Sequence, residues 1–232
     1  MIPGRIYVET LVQADLAELW DLTQRPGAHQ RWDLRFHEIT YAAPGRDGAQ
    51  RFRYAIRPLP GLIISGDGIT IGERRRPDGT RTSALRFASA HPLSAIGSGA
   101  GYWRYIPSGR GVRFVTGYDY EPGLGRVTDL VVRPLMGWAT AWSFDRLRLW
   151  LETGRTPEQS LRQALLEVFA RVAAVLACSA SGVPLSITVL AGAAALLVPP
   201  LRGTPAARRC LRRPPGGRPA QVPAALTRLE NP

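Results

Sequence analysis

From Arg5 to Val12 apolar and polar residues alternate, Ile6 and Val8 on one side, which is the period of a half-buried strand. The period then changes. Within Ala14–Leu22, Leu16, Leu19 and Trp20, with Thr23 just beyond, share one helical face, and Pro26-Gly27 ends the run. A short second helical turn is expected from His29 to Trp32. From His37 the period returns to two. Glu38–Ala42, Gln50–Ile56, Leu62–Ile71, Thr82–Ala88, Ala100–Ile106 and Val112–Tyr120 read as strands. They are divided by Pro44-Gly45-Arg46-Asp47-Gly48, Pro58-Leu59-Pro60-Gly61, Pro77-Asp78-Gly79 and Ser108-Gly109-Arg110-Gly111. Connections this short imply an antiparallel meander.

After Pro122-Gly123 the spacing is helical again. Val127, Leu130, Val131, Leu135, Trp138, Trp142, Leu149 and Trp150 recur three and four apart up to Gly154. Pro134 lacks an N–H for the helix ladder, so a first piece is expected to end there and the main helix to begin. The fold class is α+β. A curved antiparallel sheet of about seven strands wrapped around one long C-terminal helix, a helix grip, buries all these faces together.

Val172 to Pro200 carries no formal charge. One helix over that run would exceed the ~20 residues a bilayer core needs, and Ser179-Ala180-Ser181-Gly182-Val183-Pro184 in its middle is turn chemistry. The expectation is an apolar helical hairpin embedded in a membrane, Gln163–Ala180 going in and Leu185–Leu201 returning. Glu167 and Arg171 stand four apart near its base, with the acid first, and can pair there. Arginine stands on both flanks, so the positive-inside tendency puts both on the cytoplasmic side. A single span and a soluble helical pair are the competing readings. The expected division is a domain over 1–155, the hairpin over 156–201 and a disordered Arg/Pro-rich tail over 202–232.

Composition changes this picture little. The formal charge is +12 and all 30 basic residues are arginine, as a GC-rich genome would give. That weakens any argument that arginine was selected for phosphate contacts. Arg74-Arg75-Arg76 is a basic hairpin tip, either a solvated turn or a contact for anionic lipid head groups. No nucleic-acid module motif is visible, so no nucleic-acid partner is expected. Cys178 and Cys210 form no disulfide framework. Arg5 and Glu9 interrupt any N-terminal apolar run, so no signal peptide is read there and the front domain is expected in the cytoplasm, at the cytoplasmic membrane.

The opening strand Ile6-Tyr7-Val8-Glu9-Thr10, the helix Ala14–Leu22, the passage His29-Gln30-Arg31-Trp32-Asp33 and the long helix ending Arg146-Leu147-Arg148-Leu149-Trp150-Leu151-Glu152 resemble the START-like helix-grip superfamily (SRPBCC), the polyketide cyclase/dehydrase and lipid-transport group. The resemblance covers about residues 3–153. It implies an apolar ligand, a hydrophobic small molecule or lipid, held between sheet and long helix. The ligand-binding wall expected from it includes Tyr54, Ile69, Phe87, Tyr102, Phe114, Tyr118, Trp138 and Trp142, with Phe52, Ile56, Leu85 and Leu135 beside them. Each of these can equally be plain core.

Candidate chemistry is sparse. His29, His37 and His91 lie in separate segments without metal-ligand spacing, so they are read as surface or turn residues and no metal or cofactor is expected. Ser65-Gly66-Asp67-Gly68 lies inside a strand and reads as a bulge, not a phosphate cradle. If the domain is an enzyme, with a cyclase or dehydratase-like activity, an inward Arg57, Asp67, Tyr118 or Asp119 is the candidate to polarise a carbonyl or move a proton. An inward polar pair would favour that reading, and a wholly apolar cavity would favour carriage.

Overall fold

In the computed structural model, which describes residues 5–43, 49–71 and 76–215, the alternating segments pair into one antiparallel sheet. Its strands are β1 (Ile6–Val12), β2 (Glu38–Tyr41), β3 (Gln50–Leu59), β4 (Leu62–Ile71), β5 (Arg81–Ala88), β6 (Ile96–Ser108) and β7 (Gly111–Pro122). They run in the order β1-β7-β6-β5-β4-β3-β2, a meander whose first strand joins the last. Arg74 and Arg75 of the basic tip lie outside the described residues.

Two short helices, α1 (Leu16–Gln24) and α2 (Pro26–Trp32), follow β1. The Asp15 side chain accepts the Ala17 N–H at 2.6 Å and caps α1, a contact worth about 1 kcal/mol. Pro26 separates the two helices: its ring starts α2 and drives Arg25 to an extended φ −81°, ψ 123°. The long α3 (Gly125–Thr153) then crosses the concave face. The inward side chains Val8, Val12, Trp103, Tyr105 and Phe114 meet Phe144 and Leu147 of α3, with Leu19 and Trp32 closing one end. Phe114 and Phe144 stack with centroids 4.3 Å apart. Burying each such ring contributes about 1.5–3 kcal/mol.

The helix does not restart at Pro134; it runs through it. Pro134 and Leu130, whose carbonyl the missing N–H leaves free, both stand on the exposed side, where water can serve as the partner. The turn before it is tied to the sheet, Arg133 bonding Asp129 (2.7 Å), Asp119 (2.6 Å) and the Tyr120 carbonyl (3.0 Å).

Gly154, at φ 69°, ends α3 in the left-handed conformation glycine tolerates. Thr156 and Gln159 form a reciprocal capping box that starts α4 (Pro157–Ala180), six residues earlier than the expected Gln163. A turn through Gly182 leads to the antiparallel α5 (Leu185–Leu197), so the apolar run is a helical hairpin. By length and composition α4 is the one helix among the described residues that could cross a membrane, and α5 is shorter.

The expectation of a disordered tail from residue 202 fails for its first part. Thr204 to Cys210 folds back onto the domain through a short 3-10 turn, Ala207–Arg209. Glu9 and Leu211 exchange both backbone hydrogen bonds at 2.9 Å. Asp145 of α3, with no side-chain exposure, accepts the Ala206 N–H (2.8 Å) and Arg209 Nη1 (2.9 Å). Composition misled because five small or short residues, Thr204, Pro205, Ala206, Ala207 and Cys210, suffice to fill this groove. Residues 216–232 lie outside the described residues.

Candidate functional site: a cavity under the long helix

Between α3 and strands β2–β7 of the sheet lies a cavity of about 350 Å³. Strand register explains it. Phe52, Tyr54 and Phe87 point inward, each directly opposite a glycine on the neighbouring strand: Gly68, Gly66 and Gly99. A Cβ there would stand 2.2 Å from Phe52 Cζ, 2.3 Å from Tyr54 Oη and 2.4 Å from Phe87 Cζ. The rings therefore occupy the glycines' own side-chain space and leave the concavity above them open. The glycine-rich Ser65–Gly68 is thus regular strand, not a bulge; the irregularity between β3 and β4 falls at Ile56/Leu59.

Of the expected wall, Tyr54, Phe87, Tyr102, Tyr118 and Trp138 line the cavity, as do Phe52, Ile56, Leu85 and Leu135. Ile69 requires correction. It sits on the outward parity of β4, in a small buried cluster with Ala49 and Ala84 that the Tyr102 ring also joins. Phe114 and Trp142 belong to the main core beyond the cavity. Among the expected enzymatic residues only Tyr118 faces inward. Arg57 pairs with Glu38 at 2.8 Å and Asp67 with Arg53 at 3.1 Å, all largely exposed. Asp119 is half-exposed and bonded to Arg133.

One end of the cavity is polar, and apart from Tyr118 its residues were not among those expected. His29 is not a surface histidine. It is buried on α2, stacked on Trp32 at 5.0 Å with Trp103 edge-on at 4.9 Å. Its Nε2 lies 3.1 Å from Asp33 Oδ2. Arg35 grips the same carboxylate with two donors, Nε to Oδ1 at 2.9 Å and Nη2 to Oδ2 at 2.6 Å. Its guanidinium lies 5.4 Å from the ring centroids of both Phe36 and Tyr118. Burial works to raise the Asp33 pKa, but the charge of Arg35 and the hydrogen bonds from His29 and Arg35 outweigh it and hold the carboxyl below the usual range. Burial likewise opposes the charge on Arg35, and Asp33 more than restores it. Tyr118 completes this end, its hydroxyl 2.9 Å from Thr140 Oγ1. His29 and Arg35 both line the cavity.

The arrangement is an amphipathic receptacle with aromatic and aliphatic walls and one guanidinium–carboxylate–imidazole cluster. It can enclose an apolar body and hold a polar atom at a fixed place. The described residues contain no cluster of metal-ligating side chains.

No protein-family model matches the chain. It is 47% identical over 169 residues to the uncharacterized membrane protein YndG of Bacillus subtilis (strain 168), covering 71% of this chain and 63% of that protein. The match therefore spans less than two thirds of the relative's length. Among solved structures, a STAR-related lipid transfer protein from Xanthomonas axonopodis superposes with a TM-score of 0.50 at 17% identity, covering 63% of this chain and 85% of that one. The di-domain ARO/CYC StfQ from the steffimycin biosynthetic pathway gives a TM-score of 0.50 at 12% identity, covering 65% and 51%. At such identities the likeness is one of fold, and it agrees with the sheet order and the single gripping helix: the chain carries a START-like (SRPBCC) helix-grip fold.

Proposed function

We propose that this chain binds or carries a hydrophobic small molecule or lipid in the helix-grip cavity, with the domain tethered to the cytoplasmic face of the membrane by the α4–α5 hairpin. The observation that carries the reading is the cavity itself: about 350 Å³, walled by apolar side chains, with Arg35 and His29 at one end. That is the scale and polarity of a site for one small amphipathic ligand. The body of the ligand gains by leaving water, and its polar atom meets the Arg35 end. Tethering raises the concentration of the domain where apolar molecules partition. The membrane-protein relative and the lipid-transfer fold neighbour support the reading.

A second reading is a cyclase or aromatase-like reaction in the same cavity. The cluster of His29, Asp33 and Arg35 at the cavity wall favours it, being an inward polar group within hydrogen-bond reach. There Arg35 would polarise a carbonyl and His29 would move a proton.

Native mass spectrometry of the full chain released from detergent micelles tests binding. The expected result is a bound small molecule, lost in Gly68→Leu, whose side chain must push the Phe52 ring into the cavity. A bare mass for the unaltered chain at every lipid concentration tried would overturn the reading. Turnover of a bound polyketide-like ketone, abolished in Arg35→Ala, would move the conclusion to the second reading.

A further inference from the structure

We infer that the α4–α5 hairpin enters a single leaflet of a lipid bilayer and turns back at its mid-plane without crossing. The inference rests on the tethering part of the proposed function and sharpens it. Both roots of the hairpin are fixed to the same domain. At the entry, Glu158 is held by Arg31 through two bonds of 2.8 and 2.9 Å, and the Pro157 carbonyl accepts Arg146. At the exit, Ala206 and Arg209 are held by Asp145, and Leu211 by Glu9. A chain pinned at both roots must leave the bilayer on the side it entered.

Length then decides between crossing twice and turning back. The returning α5 has 13 residues, about 20 Å at 1.5 Å per residue, against a hydrocarbon core of about 30 Å. A base line is drawn by Arg171. It bonds Glu167 (2.5 Å) and reaches across to the carbonyls of Ala195 (2.7 Å), Val198 (2.8 Å) and Pro199 (3.2 Å). From that line to the turn, α4 continues to Ala180 and α5 covers Leu185 to Ala195. Each stretch rises about 15 Å, the depth of one leaflet. The surface above the line is apolar and unpartnered within the chain, as at Val172, Leu176, Leu185, Val189 and Leu190. No residue of α5 is buried.

Part of the tip's hydrogen bonding is met within the hairpin. A turn in hydrocarbon must supply its own hydrogen-bond partners. Here Ser181 N–H and Oγ both donate to the Ala177 carbonyl, and Ser179 Oγ donates to Val175. Pro184 brings no N–H, and its carbonyl accepts Ile187 and Thr188. At the other end the Glu167–Arg171 pair sits where head groups meet the core, with Arg162 and Arg202 below it to face anionic lipid.

The test uses the full chain as Ser181→Cys in a Cys178→Ser background, reconstituted with phosphatidylcholine/phosphatidylglycerol vesicles. The introduced thiol carries a fluorophore, and nitroxide lipids quench it at shallow or mid-plane depth. The expected result is co-flotation with vesicles and mid-plane quenching stronger by at least about twofold, the mid-plane being ~15 Å from the core boundary. Stronger shallow quenching would overturn the insertion depth and leave tethering in place. Reaction of the unlabelled thiol with an impermeant maleimide trapped in the lumen would show crossing and likewise overturn it. A chain that stays soluble without vesicles, as monomer or as an oligomer covering its hairpins, would overturn both this inference and tethering.

Discussion

Asp145→Asn should release the chain segment that closes the hairpin, and the structure sets the size of the effect. Asp145 takes two bonds from Arg148 (2.8 and 2.7 Å), one from Arg209 Nη1 (2.9 Å) and one from the Ala206 N–H (2.8 Å). The Arg148 bonds lie within α3 and survive whether or not the segment is docked, so their loss cancels. The Ala206 bond can be kept by the amide oxygen, in weakened form. What docking loses is the Arg209 pair, a buried charge-assisted contact worth about 1.5–3 kcal/mol. Arg209 keeps its bonds to the carbonyls of Thr204 and Leu201, so the lower half of that range applies. A loss of about 2 kcal/mol is roughly a thirtyfold rise in the undocked fraction.

Limited trypsin digestion of the full chain in detergent, with mass spectrometry of C-terminal fragments, reads this directly, because slow cleavage tracks the open population. Cleavage after Arg208 and Arg209 should accelerate by that factor. Cleavage after Arg212, which is exposed already, should not change and serves as the internal control. Equal rates at Arg209 in both proteins, with the core still folded, would refute the argument that Asp145 holds the segment.

The Cys210 thiol donates to the Ala141 carbonyl at 3.3 Å, and burial with the nearby Asp145 charge pushes its pKa up to about 12, so iodoacetamide should modify Cys210 slowly, and Asp145→Asn should speed that modification in a peptide-mass time course. Gly68→Leu should destabilise the domain by about 1–3 kcal/mol in a urea titration followed by tryptophan fluorescence, since Phe52 Cζ already lies 2.2 Å from an ideal Cβ. Asp33 is more acidic folded than unfolded, so the folded state binds fewer protons there; its contribution is complete above the unfolded value of about 3.9 and is lost as pH falls through the lower folded value. Thermal melts should therefore show the unaltered chain losing stability below about pH 4, while Asp33→Asn starts lower and falls less steeply.

The sheet and its gripping helix were legible because each strand buries one face against α3 and therefore alternates. Legibility failed where alternation carries the opposite sign. The inward positions of β4 include Gly66 and Gly68, which make room for Tyr54 and Phe52, while Ile69 is buried outward against Tyr102 and Ala84. A large apolar residue in such a strand marks the wrong face, and only register with β3 and β5 reveals it. The hairpin turn was legible from Ser181-Gly182-Val183-Pro184 because a glycine at φ 67° and a proline leave the chain few alternatives. The docked segment was not, because what holds it is a carboxylate sixty residues upstream, and nothing in its own composition announces that partner.

The polar end of the cavity was hidden for a related reason. Polar residues at a helix end are ordinarily solvated, and His29 read that way, while nothing in the sequence alone joined Asp33 and Arg35 to it. What buries them is their spacing once the backbone changes state after Trp32. Asp33, extended at φ −89°, ψ 111°, keeps its side chain one helical turn from His29 and two extended residues from Arg35. One carboxylate thereby satisfies both partners, and Arg35 stays charged in an apolar wall because Asp33 is already paired with it. Under the binding reading this sets the chemistry of the ligand's head. A guanidinium already paired with a fixed carboxylate attracts a second full anion less than a lone arginine would. A hydroxyl or carbonyl oxygen is therefore a better match there than a free carboxylate.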